Sequence, residues 1–73
     1  MKKENFWSEF GIEVKLQLLK RGMKQNELIE KVSKDTGLYF DDSYLYKILR
    51  GERSPNKIVQ SICKILEIEM PEN

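Results

Sequence analysis

The sequence predicts an all-α fold, and three observations carry that expectation. Apolar residues recur at helical spacing through nearly the whole chain, and the alternation of a half-buried strand is almost absent. Proline does not occur before Pro55. Gly22, Gly37 and Gly51 each close an amphipathic stretch, where helices commonly end on a residue that tolerates positive φ.

The first helix is expected from Asn5 or Ser8 to Arg21. Phe10, Val14 and Leu18 recur at spacing four with Trp7 in line above them, and Ile12, Leu16 and Leu19 are expected to broaden the same apolar side. The second helix starts at Lys24 or Gln25, buries Leu28, Ile29 and Val32, and runs to Asp35 or Thr36. Leu38-Tyr39-Phe40 is the one short run that could be extended, with Leu38 or Phe40 folding back into the core. It leads into Asp41-Asp42, which has the chemistry of an N-cap. The third helix spans Asp42 to Arg50. The fourth opens at Ser54-Pro55, read as a serine cap with proline in the first turn. Its stripe is Ile58, Ile62, Ile65 and Leu66, with Ile68 and Met70 trailing towards Pro71.

A chain of 73 residues suggests one domain with a small core, expected over about residues 6 to 68. Hydrophobic residues make up 40% and charged residues 34%, a balance that suits a folded chain rather than a disordered one. Thirteen basic against twelve acidic residues leave a net charge of +1, so overall charge says little about partners and its distribution says more. Between Lys47 and Lys57 lie Lys47, Arg50, Arg53 and Lys57 against Glu52 alone, whereas Ile65 to Asn73 holds three acids and no base. A single cysteine, Cys63, excludes an internal disulfide framework and a cysteine metal cluster, and points to a reducing cytoplasm. Catalysis is not expected, since histidine is absent and Cys63, beside Ile62 and Leu66, reads as a packing residue. Asp35 with Asp41-Asp42 lacks the loop glycine and distal glutamate of a calcium hand, and capping explains these acids better than metal binding. No cofactor, metal or small-molecule ligand is implied. No run approaches the roughly 20 apolar residues of a membrane span, and the N-terminus does not read as a signal peptide.

The third helix is where chemistry concentrates. Leu45, Ile48 and Leu49 fall on one side, and Asp42, Ser43, Tyr46, Lys47 and Arg50 largely on the other. A helix laid into a DNA groove meets base edges with its first turns. Asp42, Ser43, Tyr46 and Lys47 are therefore the candidate readers: lysine donates to guanine, serine donates or accepts, aspartate accepts from cytosine, and tyrosine packs on a thymine methyl or bonds a phosphate. Asp42 could instead cap the helix, or bond Gln25 or Lys47. Arg50, Arg53, Ser54 and Lys57 follow at the helix end and in the next loop, positioned to hold phosphates with the amides opening the fourth helix.

Gly22-Met23-Lys24-Gln25, Glu27 to Val32, Ser43 to Ile48, Gly51-Glu52-Arg53-Ser54-Pro55 and the closing Ile62 to Ile68 occur in an order and spacing that resemble the Cro/repressor-type helix-turn-helix family, also called the Xre family. The resemblance covers about Phe10 to Ile68. It implies a compact four- to five-helix bundle of the lambda-repressor-like helix-turn-helix type, in a bacterial or phage-encoded protein that binds double-stranded operator DNA, commonly as a homodimer. It further implies that Gln25 contacts a phosphate and braces the recognition helix, that Asp42, Ser43 and Lys47 read bases, and that Tyr44 lies near the DNA backbone or packs on the second helix. The chain departs from the family pattern in three places. Lys24 replaces the usual capping serine or threonine, Ser33 to Phe40 is about six residues longer than the tight turn, and Asp42 stands where an uncharged amide is frequent.

Sequence-selective DNA binding as a small transcriptional regulator is the function these features imply. Phe6, Trp7 and Phe10 read first as closing the core, and they, or Ile68 to Met70, could instead form a dimer contact. The alternative is a protein-interaction module, an antirepressor or antitoxin, that retains the fold. Asp41, Asp42 and Glu52 interrupting the basic strip would favour it.

Overall fold

The computed structural model describes residues 7–69. Among these residues are four α-helices and no strand: α1 (Glu9–Arg21), α2 (Gln25–Thr36), α3 (Asp42–Arg50) and α4 (Asn56–Leu66). No helix among the described residues is long and apolar enough to cross a membrane. Asn5, Phe6, Met70 and Pro71, which entered the expectations above, lie outside the described residues.

Local chemistry sets the boundaries. Ser8 caps α1, its hydroxyl accepting from the Gly11 amide at 2.9 Å. At the other end Gly22 adopts φ 65°, and the crossed bonds Met23 N to Leu18 O and Gly22 N to Leu19 O satisfy the last carbonyls. Lys24 precedes α2 without any side-chain cap. The opening of α4 differs from expectation: Ser54 does not cap it. Pro55 takes that position at φ −69°, ψ 123°, and its carbonyl accepts from Val59 N at 2.9 Å. Proline's ring holds the φ this extended residue needs, and a missing N–H costs nothing just outside a helix.

Every element feeds one core. α4 contributes most, with Ile58, Val59, Ile62, Cys63 and Leu66 buried. They meet Val14 and Leu18 of α1, Leu28 and Val32 of α2, and Leu45, Ile48 and Leu49 of α3. Burial pushes the Cys63 thiol above its ordinary pKa, as for a packing residue. In the α2–α3 connection Phe40 is the residue that turns inward, while Leu38 and Tyr39 stay exposed. Packing runs across the chain order: α1 lies on α3 and α4, and α2 lies on α4 and α3, whereas the successive pairs α1/α2 and α3/α4 share little contact.

Ile12, Leu16 and Leu19 do not broaden the buried side of α1, and are 45%, 41% and 78% exposed. At 3.6 residues per turn they lie about 150° round the helix from Val14 and Leu18. α3 and α4 meet only the latter face.

Polar ties fix the helices to one another. The backbone N–H and the hydroxyl of Ser8 both donate to the Leu49 carbonyl at 2.9 Å. One turn on, Gly11 passes so close to that carbonyl that any Cβ would collide with it. Arg21 Nη2 donates to the Leu66 carbonyl at 2.8 Å, stapling the end of α1 to the end of α4. Asp35 receives Ser61 Oγ at 2.7 Å and Lys64 Nζ at 2.9 Å. Those donors, Lys64 first, hold its carboxyl below the ordinary range. Asp35 therefore joins α2 to α4, and no set of three metal-ligating side chains occurs among the described residues.

Candidate nucleic-acid interface

α3 is a nine-residue helix fixed at both ends. Asp41 is its N-cap, accepting from the Tyr44 amide at 2.9 Å and from the Tyr39 hydroxyl at 2.6 Å. The Tyr39 bond, and then the Tyr44 amide, hold the Asp41 carboxyl below its ordinary pKa, and the same contact raises that of Tyr39. Gly51 closes the helix at φ 84°, with Gly51 N on Ile48 O and Glu52 N on Lys47 O. Ser8 supplies the Leu49 carbonyl with its donors. The C-terminal end of α3 is thus held by α1, and its N-terminal end by the connection that precedes it.

With Leu45, Ile48 and Leu49 inward, the solvent face carries Ser43, Lys47 and Arg50, all exposed. Tyr44 and Tyr46 flank that face. Tyr44 is half-buried with its ring centre 5.7 Å from that of Phe40, which accounts for its packing; it does not project from the helix. Tyr46 meets Trp7 edge-on at 5.4 Å, and the Arg50 guanidinium stands 5.7 Å from its ring. Two shallow grooves run along α3. One, of about 270 Å³, is lined by Asp41, Ser43, Tyr44, Lys47 and Arg53. The other, of about 310 Å³, is lined by Asp42, Ser43, Tyr46 and Lys47. Ser43 and Lys47 form the ridge between them.

The sequence-derived candidates separate accordingly. Asp42, Ser43, Tyr46 and Lys47 come together on one surface, and Arg53 joins them across the first groove. Asp42 is the first residue of α3. It does not cap the helix and forms no hydrogen bond or ion pair with a described residue, Gln25 and Lys47 included. Arg50 is paired with Glu52 at 3.2 Å. Lys57 is not brought to these grooves, and lines a separate depression between α2 and α4 with Asp35, Gln60, Ser61 and Lys64. Ser54 is exposed in the loop before α4, whose first-turn amides no side chain caps. Gln25 is exposed at the start of α2 and makes no hydrogen bond to a described residue of α3.

Sequence reasoning gave no role to Tyr39 or Gly11, and placed Ser8 only as a possible start of the first helix. For Gly11 there was a usable signal, since glycine inside a helix marks a close backbone approach. Tyr39 carried none, because its role depends on the conformation of the connection. Comparison of the chain with protein-family models, with curated proteins and with solved structures finds no match.

Proposed function

We propose that this protein binds double-stranded DNA selectively, as a small transcriptional regulator of the Cro/repressor helix-turn-helix kind, with α3 in the major groove. The observation that carries the reading is the outer face of α3. Ser43 and Lys47 stand side by side on an exposed ridge, the helix beneath them is pinned at both ends, and Arg53 borders the same groove. A rigid helix presenting a short donor beside a long cationic one suits guanine and its neighbours. Arg53 and the open amides of α4 suit phosphates. Asp42, which pairs with no described residue, is available to cytosine N4 and repels phosphate, which favours sequence discrimination over indiscriminate binding. Arg53 is the basic residue this face offers to phosphates, so affinity should fall only shallowly with salt concentration for one chain. With so few contacts, useful affinity requires a dimer.

Selection from a random duplex pool tests the reading, run beside a Ser43→Ala/Lys47→Ala variant. The expected outcome is an enriched motif that the variant loses or changes. No enrichment by folded wild-type protein at low salt would overturn it. A second readout is available, because Trp7 is the only tryptophan and touches Tyr46 of α3. Its emission should shift on titration with the selected duplex.

One observation favours the protein-interaction reading. Glu52 neutralises Arg50, and Asp42 lies beside Lys47 without a partner among the described residues, so the basic strip is broken twice. Capture of a protein partner that survives high salt, together with a failed selection, is the result that reading requires.

A further inference from the structure

α1 has two apolar faces, and the fold uses one. Val14 and Leu18 enter the core, while Ile12, Leu16 and Leu19 recur at i, i+4 and i+7 as an exposed stripe. Charge along one flank of the stripe is polarised. Glu9 and Glu13 lie in the N-terminal half of the helix and Lys20 near its end, all within about 100° of the stripe on the same side. None of the three forms an ion pair with a described residue, and Glu13 only receives the Gln17 amide at 3.2 Å. On the opposite flank Lys15 is drawn over the Trp7 ring, 4.6 Å from its centre.

We infer that this stripe docks a second copy of the same chain, the two α1 helices packing antiparallel about a two-fold axis. A two-fold axis perpendicular to the helices sets each flank against its own equivalent. The acidic half of one flank therefore meets the basic end of the other. Ile12 faces the partner's Leu19, Leu16 faces the partner's Leu16, and Glu13 faces the partner's Lys20. These pairings centre on the same point, near residue 16, to within about 0.8 Å at a rise of 1.5 Å per residue. One register thus satisfies the apolar and the charged contacts together. Opposed helix dipoles favour the same orientation. The surface is independent of the outer face of α3, so the inference does not rest on DNA binding.

A single helix face is much smaller than the roughly 800 Å² per partner of a standard interface. The dimer is accordingly weak, with a dissociation constant on the order of 0.1 mM. Sedimentation equilibrium from about 10 µM to 1 mM should follow the mass from one chain to two across this range. Leu16→Glu should stay monomeric throughout with unchanged helical circular dichroism, since its side chain is outside the core. Glu13→Lys and Lys20→Glu should each weaken association about tenfold, and the double variant should recover most of it. Wild-type protein that remains monomeric at 1 mM overturns the inference, as does a dimer that survives Leu16→Glu. A charge-swapped double variant no tighter than either single variant overturns the antiparallel register.

Discussion

Gly11 and Glu67 show how one side chain, or the lack of one, is set by a neighbour far along the chain. Glycine inside a helix normally costs about 1 kcal/mol relative to alanine. At position 11 that gain is unavailable, because an added methyl meets the Leu49 carbonyl oxygen, a backbone atom that cannot rotate away. Overpacking of this kind costs about 1–3 kcal/mol, so Gly11→Ala should be net destabilising. A urea melt in which the variant is as stable as the parent would refute the close approach. Glu67 is the reverse case, the one described non-glycine residue at positive φ, 57°. Its ion pair with Arg21 is long, at 3.6 Å, with the Glu67 side chain 78% exposed. Exposed pairs contribute little, whereas relief of left-handed strain is worth about 1 kcal/mol. Glu67→Gly should therefore raise the melting temperature by a few degrees, as calorimetry can test.

At the scale of elements, the helices carry their own start and stop chemistry, and most of it was legible. Gly22, Gly37 and Gly51 end α1, α2 and α3 where expected, because a glycine after an amphipathic stretch acts through local backbone geometry alone. The start of α4 was misread, since Ser54 and Pro55 compete for one position and proline's fixed φ decides it. The second apolar face of α1 was misread too: helical period assigns residues to faces, but cannot say which faces a neighbour covers. Within the candidate interface, Ser43 and Lys47 were legible as the outer face of an amphipathic helix. The displacement of Lys57 and the pairing of Arg50 with Glu52 were not, because both depend on how the loop after Gly51 turns. Asp41 makes the start of α3 sensitive to pH. Its carboxyl is held below the ordinary 3.8 by the Tyr39 hydroxyl and the Tyr44 amide, so its stabilisation is present above that value and lost as pH falls through the lower folded one. Asp41→Ala should shorten α3 at neutral pH and lower the urea midpoint, readable by circular dichroism.

For the whole molecule the same linkage predicts a broad plateau with two edges. Asp35, lowered by Lys64 and Ser61, adds to Asp41 on the acid side, so stability falls below about pH 4 as both protonate. Tyr39 is raised above its ordinary 10.0 by Asp41, so its contribution is complete below pH 10 and lost as pH rises through the higher folded value. With no histidine in the chain, no side chain has its ordinary pKa between pH 5 and 8. Thermal melts should be flat there, and Asp35→Asn should lower the plateau while softening the acid edge. The packing order has a kinetic meaning as well. α1 is held by Ser8 on Leu49, 41 residues away, and by Arg21 on Leu66, 45 residues away, with little contact to α2, its neighbour in the chain. Of the successive helices α2 and α3 pack together, whereas α1 gains little until α3 and α4 are in place. Folding should be slower than in a helical bundle of equal size whose successive helices pair, with α1 docking late onto a partly assembled α2–α4 unit.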